Sequence, residues 1–353
     1  MANNRGSHQL MLRAELVRAL PRLLPPLTIS STRLQPPPAP ASLVVEAMTP
    51  TSRKLRLFLE VRASPAPAHA REHARHLKAS LAGRAGSYAM LASRFLSPRV
   101  REICREEQVG YVDLAGNCYL RLDDLYVEKV VDKNPFPARG RPASLFSPVS
   151  SRIMRALLES RGRAWQVQEL AREAGVSLGH TSNVCRRLLD DAHLAKEQGK
   201  LKLVEPARLL DAWREAYTPR HRRLPYYSFE SALESRMGAL ARAATAGSLR
   251  YAVTSLAAAQ LVAPFVRGVT TLEAYISDEL EREAWVKALD LRPVEAGANL
   301  ILLVPDDLGV LYASRVVNGI RVVGDVQLYL DLWTDPGRGR EQAEFLRKER
   351  LGY

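Results

Sequence analysis

Between Phe146 and Val204 the chain carries a pattern that few arrangements can satisfy. Val167-Gln168-Glu169-Leu170-Ala171-Arg172-Glu173-Ala174 reads as helical and runs straight into Gly175-Val176-Ser177. Gly175 permits the tight turn, Ser177 can cap a new helix, and Ala171 is small enough for that helix to approach closely. Val176 then plugs the space between the two helices. The helix after Ser177 reaches about Asp191, with Val184, Leu188 and Leu189 spaced to bury one face. Upstream, residues 148–160 read as a helix with Ile153, Leu157 and Leu158 on one side, and residues 165–174 as the next. Downstream, residues 194–197 and 201–204 alternate around Gln198-Gly199-Lys200, which predicts a two-stranded ribbon.

Three helices followed by a ribbon, with that turn before the third helix, resemble a winged helix-turn-helix domain. The resemblance implies that the third helix enters a DNA major groove by its N-terminal half. Its outer face then carries Gly179, His180, Thr181, Asn183, Arg186 and Arg187. Ser177, His180, Thr181 and Asn183 are expected at bases or phosphates, where Asn183 can pair bidentately with adenine. Arg186 and Arg187 suit flanking phosphates. Lys196, Lys200 and Lys202 on the ribbon are expected at an adjacent groove or backbone.

The charge agrees with a polyanionic partner, most simply nucleic acid, and the winged-helix resemblance implies that it is double-stranded DNA. Lys and Arg number 51 against 38 Asp and Glu, a net charge of +13. The excess is uneven: residues 1–143 carry +10, residues 144–224 carry +6, and residues 225–353 carry −3. A hydrophobic content of 46% with 25% charged residues excludes a disordered chain. No run of about 18 apolar residues occurs, so no membrane span is expected. The early stretch is broken by Arg13, Glu15, Arg18 and Arg22 and does not read as a secretory signal. Cys104, Cys118 and Cys185 lie far apart, which fits a reducing cytoplasm.

The expected architecture is α/β and multidomain. Residues 1–41 read as an N-terminal helix, about 9–23, and a proline-rich spacer. Residues 42–133 form a first α/β domain, 134–146 a linker, 147–217 the winged helix-turn-helix and 218–353 a second α/β domain. The first domain should open with strands at 42–47 and 55–62, then a helix at 68–82, a strand at 87–92, and a helix capped by Ser97 with Pro98 at its first position. Short strands follow at 111–114, 118–122 and 125–129. Residues 218–225, with Arg220, His221, Arg222 and Arg223, read as a basic hinge.

Leu57-Phe58-Leu59-Glu60-Val61-Arg62 resembles the E-x-K strand of the PD-(D/E)xK nuclease superfamily. That implies a restriction-endonuclease-like fold, in which an Asp on the preceding strand and the Glu bind a divalent metal while the Lys activates water. Two departures point to a degenerate site. The Lys position holds Arg62, a poor base. The Asp position falls near Ser42, and residues 36–45 contain no acid. Ser42, Glu60 and Arg62 are therefore expected to hold no metal and to cut nothing.

Ser97-Pro98-Arg99-Val100-Arg101-Glu102 and Gly110-Tyr111-Val112-Asp113-Leu114-Ala115-Gly116-Asn117 resemble the amino-terminal module of AbiEi-like regulators, the antitoxins of type IV toxin–antitoxin systems. Tyr251-Ala252-Val253-Thr254-Ser255, Val323-Gly324-Asp325 and Gly337-Arg338-Gly339-Arg340 resemble their carboxy-terminal part, which is nucleotidyltransferase-like. Here Thr254-Ser255 stands where Gly-Ser would be, and Glu273 followed by Asp278 replaces an Asp-x-Asp pair. The resemblance implies a bacterial, cytoplasmic, sequence-specific transcriptional regulator that represses its own operon. It also implies homodimerisation and a toxin protein encoded nearby. No catalytic residue, cofactor or metal is expected. The alternatives are a metal-dependent endonuclease targeted by the winged helix, and an architectural or defence-associated protein that binds DNA with little sequence preference.

Overall fold

The computed structural model describes residues 2–36, 39, 41–63, 65–131, 135–136 and 145–353. The chain divides into two compact units, one of residues 1–142 with 189–192, the other of the rest.

The first unit runs α1 (Ala2–Leu23), β1 (Thr28–Leu34), β2 (Leu43–Met48), β3 (Lys54–Val61), α2 (Pro67–Ser80), β4 (Ser87–Ser93), α3 (Pro98–Glu106), β5 (Gly110–Asp113), β6 (Cys118–Arg121) and β7 (Tyr126–Lys129). Its seven strands pair in chain order. β3, β4 and β5 are parallel, so α2 and α3 are their crossovers. The flanking strands pair antiparallel.

Alternation along β3 builds both cores. Leu55, Leu57, Leu59 and Val61 pack with Leu12, Leu16 and Leu20 of α1. Phe58 packs with Ala74 and Leu77 of α2 on the other face. Residues 1–41 are therefore no separate spacer: α1 covers one face of the sheet. β1 was missed because Thr28-Ile29-Ser30-Ser31-Thr32-Arg33-Leu34 is an almost wholly exposed edge strand with no apolar face to announce it. Most of the 134–146 linker lies outside the described residues.

Ser97 caps α3, accepting from the Val100 N–H at 3.4 Å. The polar ends of the Asp113–Asn117 turn are buried. Asp113 is buried and accepts from the Leu96 and Asn117 N–H groups at 2.8 and 2.9 Å and from Asn117 Nδ2 at 2.8 Å. Burial pushes its carboxyl above the ordinary range despite these donors. Asn117 Oδ1 in turn accepts from Arg101 at 2.8 Å. This motif is a buried clamp that ties the start of α3 to the β5–β6 turn.

The second unit runs α4 (Pro148–Glu159), β8 (Ala164–Trp165), α5 (Val167–Ala174), α6 (Leu178–Asp190), β9 (Leu194–Glu197), β10 (Lys200–Leu203) and α7 (Pro206–Ala216). It continues with β11 (His221–Tyr227), α8 (Leu233–Gly247), β12 (Tyr251–Thr254), α9 (Ser255–Val262), β13 (Leu272–Ile276), α10 (Arg282–Ala288), β14 (Arg292–Pro293) and β15 (Leu300–Pro305). β16 (Arg315–Val317), β17 (Ile320–Val322), α11 (Asp325–Thr334) and α12 (Gly339–Leu346) complete it.

Trp165 begins no helix. It sits in β8, which pairs with β10 to give the ribbon a third strand, and its ring is buried with the Arg163 guanidinium 3.6 Å from its centre. The last sheet has the order β14-β11-β15-β13-β12-β17-β16. The expected basic hinge is instead β11, paired with β15 from His221 to Tyr226. Its arginines are held on the sheet by acids, Arg222 by Glu279 and Arg223 by Glu273.

The boundary expected at 217/218 is not a break between compact units, because α4 is fastened to the last sheet and its helices. Arg152 forks onto Asp307 at 2.7–3.0 Å, and Arg155 bonds Gln327. Glu159 accepts from the Val326 N–H at 2.8 Å.

Candidate nucleic-acid interface

The turn before α6 forms as the residue types require. Gln166 and Glu169 close a capping box at the start of α5, and Gly175 ends it in the left-handed region at φ +61°. The Ser177 carbonyl accepts from the Thr181 N–H and hydroxyl, each at 3.0 Å, which fixes the first turn of α6. Thr181, Val184, Cys185 and Leu188 are buried. The exposed stripe is therefore Gly179, Asn183, Arg186 and Asp190, the i, i+4, i+7, i+11 row.

This phase corrects one expected contact residue, Thr181, and gives His180 a partner inside the fold. Thr181 is fully buried and bonded to its own helix, so it faces the core. His180 is half-buried, with Nε2 2.9 Å from Ser150 Oγ on α4, so it joins two helices. Arg187 and Leu189 are both half-buried. Ser177, Asn183 and Arg186 remain exposed, with Arg186 donating to Asn183 Oδ1 at 3.4 Å.

Sequence reasoning passed over Leu178, which is 54% exposed in the first turn of α6. An apolar residue beside Asn183 at the mouth of a recognition helix suits a thymine methyl. The signal was its position next to the cap; its apolar character argued for the core. Asp190 closes the same stripe with a negative charge, so the part of the stripe compatible with phosphates ends at Arg186.

The ribbon does not present its three lysines together. Lys200 pairs with Glu197, Lys202 with Ala195 and Lys196 with Leu201. Lys200, Lys202 and Glu197 therefore share one face, and Lys196 lies on the other with Leu201. Lys202 is half-buried and bonded to Glu197 at 3.0 Å, whereas Lys196 and Lys200 are exposed.

In the first unit, the β2–β3 register continues to set Ser42 opposite Glu60. Ser42 Oγ accepts from the Val61 N–H at 3.3 Å. Glu60 is buried, and its Oε1 is held by Arg62 at 2.6 Å and by His73 Nδ1 at 3.1 Å. His73, on α2, was not foreseen; its separation of thirteen residues from Glu60 leaves no sequence pattern. The acid faces two basic groups rather than a second acid.

In the second unit, the Thr254-Ser255 turn joins β12 to α9, with Ser255 at φ +53°. Ser255 donates to Glu273 at 2.8 Å, and Arg223 holds the other oxygen of that carboxylate at 2.5 Å. Asp278 is exposed and caps a single helical turn through the Leu280 N–H at 3.1 Å. The buried acid here is Asp331 on α11, which sequence reasoning missed. It accepts from Thr254 at 2.6 Å, Tyr217 at 2.9 Å, Tyr275 at 3.1 Å and Gln327 at 2.8 Å. Burial nevertheless pushes its carboxyl up to about 6. Among the described residues, no group of three His, Cys, Asp or Glu side chains is placed to hold a metal ion. Among the described residues no helix is long and apolar enough to cross a membrane.

Residues 202–351 match the family of AbiEi antitoxin transcriptional regulators of type IV toxin–antitoxin systems. The match begins within β10 and covers the rest of the second unit. It supports the likeness to AbiEi-like regulators over that span. No curated protein and no solved structure matches the chain.

Proposed function

We propose that this chain is a transcriptional regulator of the antitoxin type that reads duplex DNA through α6. The observation that carries the reading is the exposed row of Ser177, Leu178, Asn183 and Arg186 beside a capped turn, backed by a buried Thr181–Val184–Leu188 stripe. Exposed Lys196 and Lys200 flank it with charge for phosphates. The AbiEi-type match over the adjoining residues supports a regulator rather than a general DNA coat.

The first unit is read as a PD-(D/E)xK-like fold that does not cut. Metal-dependent hydrolysis needs at least two hard oxygen ligands and a group that positions water. Ser42 replaces one ligand, and Glu60 Oε1 is already held by Arg62 and His73. The last sheet is read likewise as a nucleotidyltransferase-like scaffold without transfer chemistry. Partners are a homodimeric second copy, duplex DNA and a toxin encoded nearby.

Fluorescence anisotropy tests the reading. A labelled duplex from upstream of the chain's own gene should bind at least about tenfold tighter than a scrambled duplex at physiological salt. Equal affinity for both sequences would favour the architectural alternative. Incubation with supercoiled DNA and Mg²⁺ or Mn²⁺ should give no nicks. Nicking that vanishes in Glu60→Ala would replace the regulator with the endonuclease.

A further inference from the structure

Where α4, α7 and the last sheet meet, the second unit forms a half-open cavity of about 310 Å³. It falls at the small end of the range for ligand pockets. Phe146, Trp213 and Tyr217 supply aromatic wall, with Phe146 and Trp213 stacked at 6.0 Å and Trp213 and Tyr217 edge to face at 6.5 Å.

Arg155 lines this cavity and is only 4% exposed. All its hydrogen-bond acceptors among the described residues are neutral. Nε and Nη2 donate to Gln327 Oε1, and Nη1 donates to Ser151 Oγ at 2.7 Å. Its flat face lies 5.0 Å from the centre of the Trp213 ring. The carboxylates nearby are engaged otherwise: Asp307 by Arg152, and Asp331 by Thr254, Tyr217, Tyr275 and Gln327. A guanidinium has five N–H groups, so two of Arg155's remain for a guest. A buried cation without a carboxylate against it is expensive, and an anion entering the cavity relieves that penalty. At the exposed rim, Arg220 and Asp306 place one charge of each sign.

Two chains of hydrogen bonds lead from the cavity wall, one to the DNA-reading helix and one to the turn before it. Ser147 on the wall donates to Ser150 Oγ at 3.0 Å, and Ser150 Oγ lies 2.9 Å from His180 of α6. Asp307 on the wall holds Arg152, whose Nη1 reaches the Gly175 carbonyl in the turn at 3.4 Å.

We propose that the cavity is an effector site for a small planar aromatic carboxylate, and that its occupancy changes how α6 holds DNA. The carboxylate takes the free N–H groups of Arg155, and the ring lies against the half-buried Phe146 and Tyr217. The ligand then touches both α4 and the last sheet, so it biases the position of Ser147 and Asp307, to which the turn and α6 are bonded. The second half of the proposal rests on the DNA-binding reading.

The full chain is titrated calorimetrically with benzoate, salicylate and indole-3-carboxylate, with cyclohexanecarboxylate and benzyl alcohol as controls. At least one aromatic carboxylate should bind at about 1 mM or tighter, and each control at least about tenfold more weakly. Arg155→Gln should weaken binding about tenfold or more, as one lost charge-assisted fork predicts. Should Arg155→Gln fail to fold, Thr218→Trp, at an exposed wall position, should block entry with the same result. Absence of binding, binding of the controls as tight as the carboxylates, or parent-like affinity in a folded variant overturns the site. Saturating ligand should shift the DNA dissociation constant about fivefold or more, and Ser150→Ala should shrink that shift while keeping ligand affinity. A ligand that binds through Arg155 and leaves DNA affinity unchanged overturns the coupling alone. A chain that binds the ligand and no DNA in either state overturns the DNA reading and leaves the site standing.

Discussion

Thr181 and Asn183 are two residues apart and opposite in fate. On a helix, two positions differ by about 200°, so one of them must face inward once the other faces out. Both are small and polar, yet Thr181 stands three and seven positions before Val184 and Leu188, on the face their spacing already buries. Truncating Asn183 to Ala should cost about 1–3 kcal/mol on a specific duplex and relax preference at one base pair. Competition binding with single-base variants of that duplex checks it. Thr181→Val should leave sequence preference intact and lower the unfolding midpoint, because its hydroxyl bonds the Ser177 carbonyl inside the fold. If Thr181→Val changes base preference and Asn183→Ala does not, the phase assigned to α6 is wrong. Leu178 belongs to the same comparison: its exposure became visible only once the helix's neighbours were in place.

At the scale of elements, legibility followed the range of the interactions that create each one. α3, α5 and α9 carry their own signals: the Ser97-Pro98 cap, the Gly175 stop and the apolar run after Ser255. β11 does not. Arg222 and Arg223 look like a solvated charge run, and only pairing with Val304 and Leu303 of β15, at least eighty residues away, makes them a strand. β1 and β8 are a polar edge and a two-residue bridge, which no periodicity can reveal. The ribbon was legible as an element, yet its lysines were not legible as a group, since register alone decides which share a face. The salt dependence of DNA binding measures that difference. Replacing Lys196 and Lys200 with Gln should lower the slope of log K against log salt by up to about 2, at about 0.9 per phosphate contact. Adding Lys202→Gln should change it little further, because Lys202 is already bonded to Glu197. Three equal decrements would instead place all three lysines on phosphates.

At the scale of the whole molecule, the second unit is held together by contacts the sequence could not announce. Arg152 meets Asp307 across 155 positions, and Glu159 meets Val326 across 167. Glu159 lies so close to the start of α11 that a Cβ on Gly324 would sit 2.5 Å from its Oε1. Burial pushes this carboxyl from 4.5 up to about 7, with Asp325 raising it further and the Val326 N–H, Arg315 and Arg161 opposing. A carboxyl whose pKa is raised on folding binds its proton more tightly in the folded state. Its stabilising effect is complete below about 4.5 and is lost as pH rises through about 7. Glu159→Gln keeps a carbonyl for the Val326 N–H and has no charge to bury. Asp331, raised in the same direction to about 6, is present in both proteins and drops out of the difference. Denaturant unfolding of parent and Glu159→Gln should therefore show the variant gaining on the parent between pH 5 and pH 8. The gain should be on the order of 2 kcal/mol, since a tenfold change in proton affinity is worth about 1.4 kcal/mol and some charge relaxation is expected at the edge of the site. A difference that stays flat across that interval would mean that Glu159 titrates in its ordinary range and that water reaches the junction of α4 and α11.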